Sequence, residues 1–341
     1  MRGRHPGATP GGHRGRSRNR PPRQLPRRNT PGDGRPRRRP GPRRGLRRRE
    51  ARAGRSHRRG RRRHHQRRRP HPLGTIGGPG PRLDRPARVN AADFEAQLRT
   101  ARYGKPLELL EVTTSTNDDA RARAEAGARD GHLVVAREQS AGRGSQGRSW
   151  SSPTGGLYFS LVLRPRLETP ALPPLTLVVG RALAESIEAR CPDLGPAEVK
   201  WPNDVLVDGR KCAGILVESA TVGAKLEHVV VGVGINVGRD IWDAELQETA
   251  TSLPETDHGA LLADVLLRLE EGVALLEREG PASAVRAIED RLAYRDETVR
   301  CGDVTGTLLG LSPSGALRID TAKGIREVVA GRLEVTDPQK R

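Results

Sequence analysis

Gly142-Arg143-Gly144-Ser145-Gln146-Gly147-Arg148-Ser149-Trp150 is a glycine-rich loop that carries two arginines and ends on a tryptophan. Gly142, Gly144 and Gly147 fit a Gly-x-Gly-x-x-Gly pattern. A dinucleotide site would need a helix directly after the loop and an acid about twenty residues on. Here the loop runs on through 149–156 into the apolar run at Leu157. No Gly-Lys-Ser/Thr closes it, so it is not a Walker loop. The segment reads as a loop between strands that can fold over a ligand, with Arg143 and Arg148 as phosphate partners. Alone, it fits a solvated basic turn equally well.

The flanking sequence places the loop in an α/β (α+β) domain. Phe94, Leu98 and Ala101 have helical spacing. Leu107 to Val112 reads as a strand. Hydroxyls and an Asn at Thr113 to Asn117 then open a helix through about Ala126. Strands are expected at 132–136 and 157–163, an amphipathic helix at 175–189, and strands at 198–201, 205–207, 211–218 and 228–237. Asp208-Gly209 is a hairpin signal between two of these. Helices follow at 261–276 and 282–292. Beyond Tyr294, five short runs with glycine at most joints (298–301, 304–311, 316–320, 325–329, 332–335) have the pattern of a small β-barrel. The expected organisation is a tail at 1–90, an α/β domain at 91–290 and the barrel at 295–336.

The net charge of +20 over 341 residues is misleading. Residues 1–90 hold 31 Arg, no Lys and three acids (Asp33, Glu50, Asp84), a net +28, which leaves −8 for the remainder. The tail has almost no hydrophobic mass, which predicts disorder. It has no apolar core of a secretory signal and no periodicity of a helix-turn-helix. Two readings of it stay open. One is an arm that binds polyanions without specificity. The other is upstream sequence translated in an arginine-biased frame, with the true start at a Val codon such as that of Val89, because Met1 is the only methionine. Cys191, Cys212 and Cys301 lack metal-binding spacing and read as buried thiols in a reducing cytoplasm. No apolar run is long enough to span a membrane.

Lys200-Trp201-Pro202-Asn203-Asp204 puts a lysine at a strand end that Pro202 stops. Between Val199 and Trp201 the lysine sits near a pocket wall, where a buried cation needs an anion. The alternative is a lysine whose ammonium reaches solvent. Ser115-Thr116-Asn117 is by itself a helix cap, yet its hydroxyls and amide, with Gln139, could also bond a small polar ring. Gly232-Val233-Gly234-Ile235-Asn236 reads as a buried strand with close backbone approach at its glycines, and Asn236 could reach a metal or phosphate.

Taken in order, Ser-Thr-Asn, Gln before Ala-Gly-Arg-Gly, Arg-Ser-Trp, Lys-Trp-Pro-Asn-Asp, Gly-Ile-Leu-Val-Glu and Gly-Ile-Asn-Val resemble the bacterial biotin protein ligases over about 105–336. The resemblance implies a catalytic fold related to class II aminoacyl-tRNA synthetases, followed by an SH3-like barrel. It implies that biotin and Mg-ATP give biotinyl-5′-AMP and pyrophosphate, and that a lysine of a biotin carboxyl carrier domain of an acyl-CoA carboxylase then takes the biotin. It implies biotin contacts from Ser115, Thr116, Asn117, Gln139 and Gly214, and a loop over the carboxylate and phosphates at Arg143, Gly144 and Ser145. Lys200 resembles the lysine that meets the biotin carboxylate and α-phosphate. Arg148, Trp150, Asn203 and Asn236 stand where the family handles ATP. The expected catalytic cations are Lys200, Arg143 and Arg148, with Mg2+ carried by ATP and no metal site of the protein's own. A cytoplasmic monomer or homodimer is implied. The winged-helix domain of the repressor members has no counterpart in 1–90, so no sequence-specific DNA binding is expected.

One position departs from the pattern. Many members have Arg-Gly-Arg at the loop's start, and Ser145 replaces the second arginine. Either the adenylate is held less tightly, or Arg148 compensates. The free adenylate released by Ser145→Arg reports which. Two rivals remain. A lipoate or octanoyl ligase of the same superfamily would lack the glycine loop and the Lys-Trp-Pro-Asn-Asp run. An Arg-rich nucleic-acid-binding protein with a biotin-sensing module would show DNA binding of steep salt dependence, lost with the tail.

Overall fold

The computed structural model describes residues 88–223, 225–238 and 246–336, so the expectations for the tail before residue 88 lie outside the described residues. Helix α1 (Ala91–Gln97) starts at Asn90, whose side-chain oxygen accepts from the amides of Ala92 and Asp93 at 3.0 and 3.2 Å. The helix expected on Phe94, Leu98 and Ala101 is therefore earlier and shorter. Phe94 is buried, but Leu98 is already extended.

Strands β1 (Leu107–Thr113) and β2 (Leu133–Gln139) are parallel and joined through α2 (Thr116–Glu125). Next come β3 (Leu157–Leu163), α3 (Pro173–Arg190), β4 (Ala197–Lys200), β5 (Asp204–Val207), β6 (Arg210–Val222) and β7 (Lys225–Ile235). Helices α4 (His258–Glu279) and α5 (Pro281–Arg286) follow. The seven strands form one sheet in the order β1-β2-β3-β7-β6-β5-β4, antiparallel apart from the first pair. The expected helix at 282–292 instead ends at Arg286 and gives way to a 3-10 turn at Glu289–Arg291.

Strand periodicity sorts the side chains to two faces. Leu133, Val135, Phe159, Leu161, Val229 and Val231 enter the main core with residues of α3 and α4, including Leu183 and Leu269. Val134, Val162 and Val230 point the other way and pack with Ala120 and Ala124 of α2. Helices thus cover both faces. The face under α2 is the one that carries Gly214, Gly232 and Gly234, because Gly214 pairs with Gly234 and Leu216 with Gly232 across β6 and β7.

The five C-terminal strands stand close to their expected positions: β8 (Thr298–Cys301), β9 (Val304–Leu311), β10 (Leu317–Thr321), β11 (Gly324–Val328) and β12 (Leu333–Val335). They pair antiparallel in the order β11-β10-β9-β8-β12, an open ladder with β11 and β12 at its edges. Their apolar faces join the same core as the larger sheet, through Val299, Leu308, Leu317 and Leu333. A polar bond also crosses the junction, from the Trp201 indole N–H to Gly315 O (3.0 Å). The three cysteines are buried and free, and burial pushes the Cys212 thiol up to about 12, as inert thiols require. Among the described residues no helix is long and apolar enough to cross a membrane.

Candidate active site

A cavity of about 500 Å³ opens on the α2 face of the sheet. The residues expected to contact biotin or ATP all line it: Ser115, Thr116, Asn117, Gln139, Arg143, Gly144, Ser145, Arg148, Trp150, Lys200, Asn203, Gly214 and Asn236. Glycines make its floor. A Cβ on Gly232 would stand 1.7 Å from Asn117 Oδ1, and one on Gly234 2.4 Å from Trp150 Nε1. Any side chain at either position would collide with the groups above it.

One end of the cavity is polar and neutral in its first contacts. Ser115 occupies the cap position of α2, but its hydroxyl makes no capping bond although it is buried at the cavity wall. Gln139 Oε1 accepts from Thr116 N (2.9 Å) and Thr116 Oγ1 (3.1 Å), while its Nε2 donates to Ser152 Oγ (2.7 Å). Asn117 donates to Glu218 Oε2 at 2.8 Å, and its Oδ1 lies 2.7 Å from the Ser160 hydroxyl. A network with this many satisfied partners holds its orientation before any ligand arrives.

The glycine-rich loop is a small hairpin above this end. Trp150 N bonds Gly142 O at 2.8 Å, Gly144 N bonds Arg148 O at 2.7 Å, and Gln146 and Gly147 take positive φ at the tip. It leads into β3 with no helix after it, as the sequence predicts. Arg143 is bound to Glu218 by two bonds, at 3.0 and 2.7 Å. Arg148 folds back and donates to the carbonyl (3.2 Å) and hydroxyl (3.0 Å) of Ser145, so a guanidinium stands beside the position that lacks one. Asn203 Nδ2 donates to the same hydroxyl (3.2 Å) and to Ile215 O (2.9 Å). Asn236 Nδ2 donates to Thr251 O at 3.1 Å. The Trp150 indole lies on the glycine floor with its N–H buried and unpartnered.

The opposite end is cationic. Lys200 lies 5.6 Å from the Tyr294 ring, and Arg332 beside β12 lines the same opening. Burial lowers the Lys200 pKa; Asp204 opposes this, and Arg332 and Lys211 add to it. Lys211 is a functional candidate that the motif reading passed over. Its ammonium stands 2.5 Å from Asp204 and 5.0 Å from the Trp150 ring, and a Cβ on Gly214 would lie 3.3 Å from it. The pairing register slips between Val205 and Leu206, so Leu206 meets Lys211 and Cys212 is left over. This bulge brings Lys211 to the face of Gly214, which strict alternation would deny it. The only sequence signal is the hairpin itself, and that places Lys211 beside a solvated turn.

Residues 109–236 match the family model for the biotin/lipoate A/B protein ligases. A biotin–[acetyl-CoA-carboxylase] ligase from Paracoccus denitrificans is 35% identical over 241 residues, covering 66% of this chain and 98% of that protein. The bifunctional ligase/repressor of Bacillus spizizenii is 31% identical, covering 74% of this chain and 81% of the relative. The chain belongs to the biotin protein ligase family. Among solved structures, the Aquifex aeolicus biotin protein ligase in complex with biotin and ATP superposes with a TM-score of 0.60 at 33% identity, over 67% of this chain and 98% of that one. The ligase is thus an α/β enzyme, with its sheet between helices and a small antiparallel sheet at the C-terminal end.

Proposed function

We propose that this ligase joins biotin to ATP as biotinyl-5′-AMP and passes the biotinyl group to one lysine of a biotin carboxyl carrier domain. The observation that carries the reading is the polarity of the cavity. Neutral hydrogen-bonding groups (Ser115, Thr116, Gln139) stand at one end, and Lys211 and Lys200 stand toward the other, with a glycine floor between. A ligand with a neutral polar ring, an apolar chain and a terminal carboxylate fits this order. The ring would bond Ser115 and the Thr116–Gln139 pair, and the chain would cross Gly214 and Gly234 beside Trp150.

Adenylation brings a carboxylate oxygen onto the α-phosphorus of ATP while pyrophosphate leaves. Two anions must approach, so fixed cations lower the barrier. Lys211 and Lys200 are the groups proposed to do this, with Arg148 on the loop and with Mg2+ arriving on the nucleotide as part of the substrate. Asn203 and Asn236 brace the walls proposed to receive the adenosine. In the second step the carrier lysine's amine attacks the biotinyl carbonyl, AMP leaves with the bonding pair, and the amine loses a proton. No enzyme nucleophile is needed. The loop keeps water from the mixed anhydride until the acceptor arrives.

The test is intact-mass analysis of a carrier domain incubated with the chain, biotin and Mg-ATP. The expected result is a gain of one biotinyl group, reduced in Lys211→Ala. A gain from lipoate and none from biotin would move the assignment to the sister activity. Free biotinyl-AMP without transfer would keep the first step and reject the acceptor.

A further inference from the structure

The near arm of the glycine-rich loop is tied to two other elements by one side chain. Arg143 donates two bonds to the Glu218 carboxylate of β6, at 3.0 and 2.7 Å, and its guanidinium lies 2.8 Å from Asp118 of α2. Glu218 in turn accepts from the Asn117 amide at 2.8 Å. Burial alone would raise the Glu218 pKa, but hydrogen bonds from Asn117 and Arg143, together with the charges of Arg143 and Arg121, outweigh it and hold the carboxyl below its usual range. Arg121 completes the group, 3.9 Å from Glu218 and also paired with Asp118. Two carboxylates thus face two guanidiniums, and the cluster is neutral. A guanidinium shared between two carboxylates has little field left for an incoming anion. The far arm differs, because among the described residues Arg148 bonds only the neutral carbonyl and hydroxyl of Ser145, and it is exposed.

We propose that Glu218 is a positioning residue: it pins the near arm of the loop through Arg143 and sets the Asn117 amide. Arg143 then gives the loop its place, and the positive charge for the reaction comes from the lysines and from Arg148. The kinetic consequence rests on the ligase reading above. The mechanical consequence does not.

Glu218→Gln, Arg143→Gln and the double variant are made in the full chain, and two quantities are read. The first is the rate at which trypsin cuts after Arg148 in the exposed far arm, followed by mass spectrometry. Each single variant speeds that cut about tenfold, and the double variant adds little, because both break one tether. The second is biotin-dependent ATP–pyrophosphate exchange, where both singles raise KM for biotin and leave kcat within about twofold. Unchanged cleavage in the single variants overturns the proposal. So does a loss of kcat in Arg143→Gln that Glu218→Gln does not share, since Arg143 would then act on the reacting groups. If Glu218→Gln melts before assay, Asp118→Asn, which removes the second anchor, takes its place. A parent chain without exchange would reject the ligase reading, and the cleavage rates would still decide the tether.

Discussion

Lys211 and Lys200 face the same cavity from different settings. Lys211 has a carboxylate at 2.5 Å and stands over the glycine floor, whereas Lys200 is half-buried beside Tyr294 with its pKa lowered chiefly by desolvation. The cation nearer the proposed reaction path should matter more. Lys211→Ala is expected to lower kcat/KM for adenylation by about 10²–10³-fold, and Lys200→Ala by about tenfold. Pyrophosphate exchange measures both, and the reverse order would make Lys200 the principal cation. Lys200 also has a stability consequence of definite sign. A lysine whose folded pKa lies below its unfolded value costs stability in full at low and neutral pH; the cost begins to fall as pH rises through the folded value and is gone only above the unfolded one. Lys200→Met should therefore raise the Tm of the ligand-free protein at pH 7 by about 2 °C, and the gain should fade at alkaline pH. A lower Tm would mean that the ammonium is better satisfied than its burial suggests. From sequence, Lys200 was visible because a proline and an aromatic mark its strand end. Lys211 was not, because its orientation depends on a bulge that no residue type announces.

His258 illustrates how an element's end can respond to pH. It is the first residue of α4 and is buried, with Nε2 unpartnered, one position after Asp257, whose side chain caps the helix by accepting from Ala260 N at 3.0 Å. Burial pushes its pKa down to about 4, against the raising effect of Asp257. The folded state thus disfavours the proton that an unfolded histidine accepts near pH 6.5. Stability from this source is complete above about pH 6.5 and is lost as pH falls toward 4, by up to about 3 kcal/mol. His258→Gln should flatten urea-unfolding free energies across that window. An unchanged slope would remove His258 as the origin. The elements themselves were largely legible. β-branched runs marked the buried strands, and the turn glycines marked all five C-terminal strands. What escaped was anything fixed by pairing. The outer reaches of β6 and β7, to Val222 and from Lys225, pair with each other without an apolar pattern to announce them.

At the scale of the molecule, the C-terminal sheet completes the larger one. Trp201 adjoins Lys200, and its indole N–H finds its acceptor in Gly315, between β9 and β10. A Cβ on Gly315 would lie 3.3 Å from Leu177 of α3, and Gly331, Arg332, Leu333 and Val335 form part of the cavity's rim. Removing residues 295–341 would therefore uncover Trp201 and Leu177, take away the acceptor of the Trp201 indole N–H and open the cavity beside Lys200. Losses of this kind cost several kcal/mol together, a large share of the stability of a domain. A chain of residues 88–294 is expected to aggregate, or to melt without a cooperative transition. The chain of 88–341 should melt in one transition and retain pyrophosphate exchange. Calorimetry on the two decides the matter. A cooperative transition for 88–294 within about 5 °C of the longer chain would show that the catalytic sheet is self-sufficient. The C-terminal strands would then serve the cavity rim alone, and their loss would appear in KM for biotin or ATP with no change in stability.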